Sequence, residues 1–215
     1  DIVYDVHQEF IQAGAQVITT NNYSVVPAIL EPAQYIHKFQ EFTQLAGRLA
    51  KAAQQDASNT VQVAGCLPPL KSTYRPDLID NSNKAIAIYS QIIEWLYDDI
   101  DVFLCESMSS IIEAKLVLKA LKGVNKPVWL SFIVDDLNPT VLLSGESVEL
   151  LGQEFSEFSV QAMMFNCAQP VSITQALSSL SYSGLKGGYA NAFKTLDTQW
   201  NHLDGKLRPT DTSLN

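Results

Sequence analysis

The chain has 215 residues, of which 47% are hydrophobic and 17% are charged, and its formal net charge is −9. This composition is typical of a globular protein that buries one sizeable core, and it excludes an intrinsically disordered chain. The acidic balance argues against nucleic acid and against an anionic membrane surface as partners, because both bind Lys- and Arg-rich surfaces.

Three cysteines, Cys66, Cys105 and Cys167, stand far apart in the sequence. An odd, widely spaced set does not suggest a disulfide framework, so we expect reduced thiols in a cytoplasmic protein. No apolar run approaches the roughly 20 residues of a membrane helix. The first ten residues, "DIVYDVHQEF", do not resemble a signal peptide.

Short apolar runs rich in β-branched and aromatic residues recur along the chain, with little alternation of polar and apolar residues. Strands that are covered on both faces have this pattern, which predicts a parallel sheet. The predicted strands are 15–20, 61–65, 101–106, 127–134 and 160–166, with a weaker sixth at 187–192.

Helical periodicity separates these runs. It predicts helices over 3–13, 31–57, 84–98, 109–123 and 171–180, and more weakly over 146–156. Ser110 followed by Glu113, and Ser172 followed by Gln175, predict two capping boxes. The alternation predicts a single α/β domain over residues 1–215, for which a doubly wound sheet and a (β/α)8 barrel are both compatible. No nucleotide-binding glycine motif follows any strand.

Polar residues cluster where the predicted strands end. In either α/β arrangement, ligands bind at the carboxyl ends of the strands, so these residues should converge on one rim. The candidates in chain order are Tyr23, Cys66, Glu106, Ser131, Asn166, Cys167, Tyr189 and Asn191.

Several of these residues also have simple structural explanations. A buried cysteine often packs as a small hydrophobic residue, and Asn166 can stabilise a turn. Glu106 ends an apolar strand, where an unpaired carboxylate is costly, so either a protein cation or a ligand's ammonium group should pair with it. Asp135 and Asp136 are expected in a solvated loop. The histidines at 7, 37 and 202 form no metal motif and are expected at the surface.

Six segments occur in the order seen in homocysteine S-methyltransferases, and together they span nearly the whole chain. They are "HQEFIQAGAQVITTNNY", "VAGCLPPLKSTYRPD", "DVFLCESMSSIIEAKLVLKAL", "KPVWLSFIV", "FNCAQP" and "YANAF". The sequence therefore resembles this family, which includes the homocysteine-binding domain of methionine synthase and the betaine- and S-methylmethionine-dependent enzymes.

The resemblance implies a (β/α)8 TIM barrel that holds one Zn²⁺ through three cysteines. Cys167, in the Asn-Cys motif after strand six of that barrel, would be the first zinc ligand. Glu106 would bind the ammonium group of homocysteine. The other residues expected around the substrate and the metal are Tyr23, Ser131, Asn166 and Asn191.

The chain departs from the family pattern at several points. The family's adjacent cysteine pair has no counterpart after Cys167, so the two further ligands are expected beyond Asn215. Strands two to seven of the barrel are recognisable and strands one and eight are not, which predicts an incomplete barrel that is inactive by itself. Asn22 stands where the family more often has threonine. A rival zinc site made of Cys66, Cys105 and Cys167 stays open, although Cys105 should point away from the face of Glu106.

The predicted function is the zinc-dependent transfer of a methyl group to the thiolate of homocysteine, which forms methionine. The methyl donor is a small molecule that the sequence does not identify, and a homo-oligomer is compatible with the chain. A non-catalytic binding or assembly protein that has lost the zinc site is the alternative. Another (β/α)8 enzyme that acts on a small acid without a metal is a third hypothesis.

Overall fold

The computed structural model of the protein describes residues 1–79 and 83–191. Its helices are α1 (Ile2–Gln12), α2 (Pro27–Leu30), α3 (Phe39–Gln55), α4 (Asn83–Leu96), α5 (Ile111–Ala120), α6 (Leu151–Glu154) and α7 (Pro170–Ser179). Its strands are β1 (Val17–Thr19), β2 (Gln62–Leu67), β3 (Val102–Met108), β4 (Val128–Phe132), β5 (Val160–Asn166) and β6 (Leu185–Tyr189). Short 3-10 turns lie at Ile36–Lys38, Pro76–Leu78, Tyr97–Asp99 and Val148–Leu150.

In the described residues the six strands form one sheet, in the order β1-β2-β3-β4-β5-β6. β1 pairs in parallel with β2, β2 with β3, and β5 with β6. Strand order that follows chain order, with a helical connection between parallel strands, is the pattern of consecutive βα units. The predicted α/β class is confirmed, and this order is consistent with part of a (β/α)8 barrel. Closure of the barrel and the single domain over 1–215 stay predictions.

Each predicted strand exists, but the boundaries differ. β5 has the predicted bounds, whereas β6 begins and ends earlier than the predicted 187–192. Its register pairs Asn166 with Tyr189, so both residues end their strands at the same level. A Cβ on Gly188 would lie 2.9 Å from the Phe165 carbonyl oxygen and 2.5 Å from Ile173 Cγ2, so glycine permits the close packing of β6 on β5 and α7.

The chain divides into two compact units. The first unit comprises the described residues of Asp1–Lys71, Asp80–Cys105 and Leu116–Val128, and the second those of Ser72–Ile79, Glu106–Lys115 and Trp129–Asn215. In the first unit, Val63, Ile92, Leu96 and Phe103 have no more than 1% of their surface exposed. In the second unit, the rings of Phe132 and Phe155 pack with centroids 5.6 Å apart. Apolar burial thus gives each unit its own core.

The helix predicted over 31–57 is interrupted. Regular helix occupies only Phe39–Gln55, after the separate α2 and the turn Ile36–Lys38. Gln34 has φ +62°, a left-handed conformation that ends regular helix, and Pro32 has no N–H to donate. The 146–156 prediction likewise corresponds to the turn Val148–Leu150 and the four-residue α6.

The two predicted capping boxes have different outcomes. At α5, the Glu113 N–H donates to Ser110 Oγ (3.1 Å), as predicted. The Glu113 carboxylate, however, accepts from the N–H and the hydroxyl of Ser109 (2.8 and 2.9 Å). Burial raises the pKa of Glu113, and the hydrogen bonds from Ser109 oppose that rise.

The box at Ser172 and Gln175 is wrong. α7 begins at Pro170, because the fixed φ of proline favours the first helical position, and Ser172 already lies in its first turn. The N–H of Gln169, the N-cap residue, donates to Asp136 Oδ1 (2.9 Å). Asp136 therefore helps to hold the start of α7, rather than lying in a purely solvated loop.

His7 is not the surface residue that we expected. It lies on the same face of α1 as Ile11, and only 7% of its surface is exposed. Its Nε2 is buried without a hydrogen-bond partner. Burial lowers the pKa of His7 below its ordinary value of 6.5, because the imidazolium loses hydration. His37 is exposed as predicted, and His202 lies outside the described residues.

Replacing His7 by leucine should flatten the pH dependence of stability. The folded-state pKa is the lower one, so below about pH 6.5 the unfolded chain binds more protons and the native protein loses stability as the pH falls. His7→Leu removes this proton linkage and the unpaired Nε2, so the free energy of unfolding at pH 5 should rise by about 1 kcal/mol. Urea unfolding at pH 5 and pH 7.5 measures both effects. His37→Leu is the exposed control, and an equal response from it would contradict the assignment.

In the part of the chain that the structure describes, no helix combines the length and the apolar character needed to cross a membrane.

Candidate functional site

The carboxyl ends of β3, β4, β5 and β6 bring polar side chains together in the second unit. Ser107 and Cys167 both have left-handed backbone conformations, with φ +60° and φ +55°. Ser107 Oγ lies 3.8 Å from Cys167 Sγ. Tyr74 is also left-handed (φ +66°), and its hydroxyl lies 3.5 Å from the Cys167 carbonyl oxygen. Non-glycine residues seldom adopt this conformation, and they cluster where the surrounding structure enforces it, often at functional sites.

Asn166 organises the interior of this cluster. Its Oδ1 accepts a hydrogen bond from Ser131 Oγ (2.7 Å). Its Nδ2 donates to Ser107 Oγ (2.7 Å) and lies 3.1 Å from Cys167 Sγ. Since Ser107 Oγ accepts from Asn166, its own proton is available for the sulfur. Ser107, Ser131 and Asn166 are all fully buried, and the predicted contact of Ser131 and Asn166 with substrate stays a prediction.

Cys167 carries the sulfur of the site. Burial raises the pKa of its thiol, and the negative charge of Glu106 acts in the same direction, whereas hydrogen bonds from Ser107, Tyr74 and Asn166 lower it. The net effect is a rise, so the sulfur is a thiol at neutral pH unless a cation compensates. Donors that face a sulfur would stabilise it as a thiolate once a metal is bound.

Glu106 and Tyr189 form the second feature of the site. The Tyr189 phenol donates to Glu106 Oε1 over 2.7 Å. Burial and the negative charge of Glu106 raise the pKa of Tyr189, so its hydroxyl stays protonated as a donor. A half-buried carboxylate held in this way is suited to bind a ligand's cationic group.

The backbone of Cys167 is held from β6 and from the residues that follow it. The Cys167 N–H donates to the Tyr189 carbonyl oxygen (3.3 Å). Asn191 Nδ2 donates to the Cys167 carbonyl oxygen (2.8 Å), and the Asn191 N–H donates to the Ala168 carbonyl oxygen. Asn191 thus supports the turn that presents the sulfur.

The structure brings together five of the six residues predicted to bind metal or substrate: Glu106, Ser131, Asn166, Cys167 and Asn191. Tyr23 follows β1 in the first unit, and its place near the metal stays a prediction. Nearby in that unit, Thr20 Oγ1 donates to Asn22 Oδ1 (2.6 Å), and Asn22 Nδ2 donates to the Cys66 carbonyl oxygen (3.0 Å). The unusual Asn22 is therefore a fully buried link between the ends of β1 and β2.

Zinc needs more ligands than this site supplies. The three cysteines are free, and Cys66 and Cys105 are fully buried. Across residues 1–79 and 83–191, no group of three His, Cys, Asp or Glu side chains is placed to hold a metal ion. The described residues therefore give no support to the rival site of Cys66, Cys105 and Cys167. Cys167 fits one position of a tetrahedral thiolate site, and these residues alone do not complete it.

Sequence reasoning assigned no role to three contributors to the site: Tyr74, Ser107 and Tyr189. Tyr189 was among the strand-end candidates, Ser107 directly follows Glu106, and Tyr74 lies in a connecting segment. The position of Ser107 beside Glu106 was the available signal for that residue. No pattern predicts the left-handed backbone of Tyr74, because non-glycine residues in that conformation have only weak sequence preferences.

A family model described as homocysteine S-methyltransferase matches residues 1–212. The metallated form of the homocysteine methyltransferase MmuM from Escherichia coli has a TM-score of 0.76 at 21% identity, covering 87% of this chain and 79% of that chain. Its apo form has a TM-score of 0.67 at 20% identity, over 88% and 80% of the two chains. A putative lyase/mutase from Burkholderia cenocepacia J2315 is more distant, with a TM-score of 0.51 at 7% identity, over 87% and 72%. At these identities the structural likenesses concern the fold.

Proposed function

Since the chain belongs to the homocysteine S-methyltransferase family, we propose that it takes part in the zinc-dependent methylation of homocysteine to methionine. In this reaction the sulfur of homocysteine forms a bond to a methyl carbon while the bond from that carbon to the donor breaks. The thiol proton leaves before the attack, because the thiolate is the nucleophile. The observation that carries the proposal is the buried cluster in which Ser107 and Asn166 surround Cys167 Sγ.

We assign Cys167 as one of three zinc thiolates, with the other two supplied by residues outside the 215. When bound, zinc would lower the pKa of the homocysteine thiol so that it is ionised at neutral pH. Asn166 and Ser107 hold the Cys167 sulfur and direct N–H and O–H groups at it. Ser131 fixes the Asn166 amide, and Asn191 fixes the Cys167 carbonyl.

Glu106 is proposed to bind the ammonium group of homocysteine. Its carboxylate lies near enough to Cys167 for its charge to affect that thiol. A substrate that carries an ammonium group and a sulfur on one short chain would bridge the two groups. Fixing both ends would hold the sulfur in line with the incoming methyl carbon, which lowers the entropic barrier of the transfer. The proposal also includes a place for Tyr23 beside the metal, a cytoplasmic location and a homo-oligomer.

A methyl-transfer assay tests the function. The protein, in a polypeptide that supplies the remaining zinc ligands, is incubated with homocysteine and, separately, S-methylmethionine, betaine or methylcobalamin with methylfolate. We expect methionine by mass spectrometry with at least one donor. Activity should be lost after chelation and restored by Zn²⁺. Homocysteine binding without methylation by any donor would instead support the non-catalytic alternative, and activity that is insensitive to chelators would contradict the zinc dependence.

A further inference from the structure

Tyr189 contacts both ends of the proposed site. Its backbone carbonyl accepts from the N–H of Cys167, and its phenol donates to Glu106 Oε1. The carboxylate and the tyrosine are 83 residues apart in sequence, and β6 brings them together. Tyr189 therefore links the residue proposed to hold the metal with the residue proposed to hold the ammonium group.

The contact is suited to orienting a carboxylate. A hydrogen bond to a charged acceptor is shorter and stronger than one between neutral groups. The 2.7 Å between the Tyr189 hydroxyl and Glu106 Oε1 is within the distances of such bonds. The backbone of Tyr189 is fixed in position by the pairing of Asn166 with Tyr189 and by the close packing of Gly188 on β5. A glutamate side chain by itself has several rotatable bonds and would sample several rotamers.

We propose that Tyr189 is a positioning residue that holds the Glu106 carboxylate in the orientation needed to bind the amino group of the thiol substrate. This inference rests on the proposed function and adds a residue to it. Tyr189 does not contact the reacting atoms, and its effect passes through Glu106. Removing its hydroxyl should therefore weaken recognition of the ammonium group and leave the transfer step nearly unchanged.

The test compares Tyr189→Phe with the wild type on two thiols, in the zinc-loaded polypeptide. Homocysteine carries the amino group, and 4-mercaptobutanoate is the same chain without it. For homocysteine, we expect KM to rise about tenfold in the variant, since one hydrogen bond to a charged group is lost, with kcat within about twofold. For 4-mercaptobutanoate, kcat/KM should be equal in the two proteins. Tyr182→Phe is the matched control, because its phenol donates to the Val160 carbonyl oxygen and does not contact the site.

Three outcomes would overturn the inference. They are an unchanged KM for homocysteine, an equal loss on both thiols and an equal effect of Tyr182→Phe. A wild type that methylates neither thiol refutes the proposed function itself, and the role of Tyr189 with it. The same exchange is also measured in a Glu106→Gln background, where an effect of a general folding defect would persist and the loss of the proposed contact would not. There it should change the KM for homocysteine less than twofold, and a full tenfold effect would also overturn the inference.

Discussion

Replacing Cys167 by alanine in the zinc-binding polypeptide should abolish both zinc binding and methyl transfer. The variant removes the sulfur that Ser107 and Asn166 surround and that we assign to the metal. Structural and catalytic zinc sites depend on each of their few ligands, and two thiolates do not complete a three-cysteine site. Zinc content by atomic absorption should fall from about one per chain to near zero, with methionine formation below detection.

The other two cysteines provide matched controls. Cys66 and Cys105 are fully buried in the first unit, and burial raises the pKa of the Cys105 thiol. Cys66→Ala and Cys105→Ala should keep stoichiometric zinc and most of the activity, with at most a modest loss of stability from a small cavity. Stoichiometric zinc in Cys167→Ala would refute the ligand assignment. Loss of zinc in all three variants would point to a common folding defect.

Replacing Glu106 by glutamine should reduce kcat/KM for homocysteine by on the order of 10²-fold or more, without changing the zinc content. The exchange keeps the size of the side chain but removes the charge that pairs with the ammonium group, and a charge-assisted hydrogen bond of this kind contributes a few kcal/mol. Steady-state kinetics with varied homocysteine, together with zinc analysis, measures both quantities.

The control for this exchange is Glu157→Gln, an exposed glutamate in the same unit. It should leave the kinetics unaltered. If homocysteine kinetics are also unaltered in Glu106→Gln, Glu106 has a structural role and the ammonium subsite lies elsewhere. If zinc is lost in that variant, Glu106 supports the metal and not the substrate.

The sequence by itself determined the order of strands and helices and the strand ends at which the site forms. Apolar runs without alternation predicted buried parallel strands, because burial on both faces removes the need for polar residues. The rule that ligands bind at the carboxyl ends of such strands then selected Glu106, Asn166 and Cys167. Family membership followed from the order of motifs, which the match over residues 1–212 confirms.

Local patterns were less informative about how individual side chains are used. The capping box at Ser172 and Gln175 was wrong, since Pro170 begins the helix earlier. His7 was placed at the surface, although packing of α1 buries it. The first error concerns a local signal, because proline favours the first helical position. The second arises because a pattern gives the residue type and its spacing, whereas the helix that packs on α1 comes from a distant part of the chain.

Only the tertiary structure decided how the site residues act on one another. The hydrogen bonds from Ser131 to Asn166 and from Asn166 to Ser107 join residues 35 and 59 positions apart. They show Ser131 and Asn166 joined to Ser107 and Cys167 in one buried network, and their contact with substrate stays a prediction. The contact between Tyr189 and Glu106 depends on the register of β6 against β5. Register and left-handed backbone conformations result from the packing of the whole sheet, and no periodicity in the sequence encodes them.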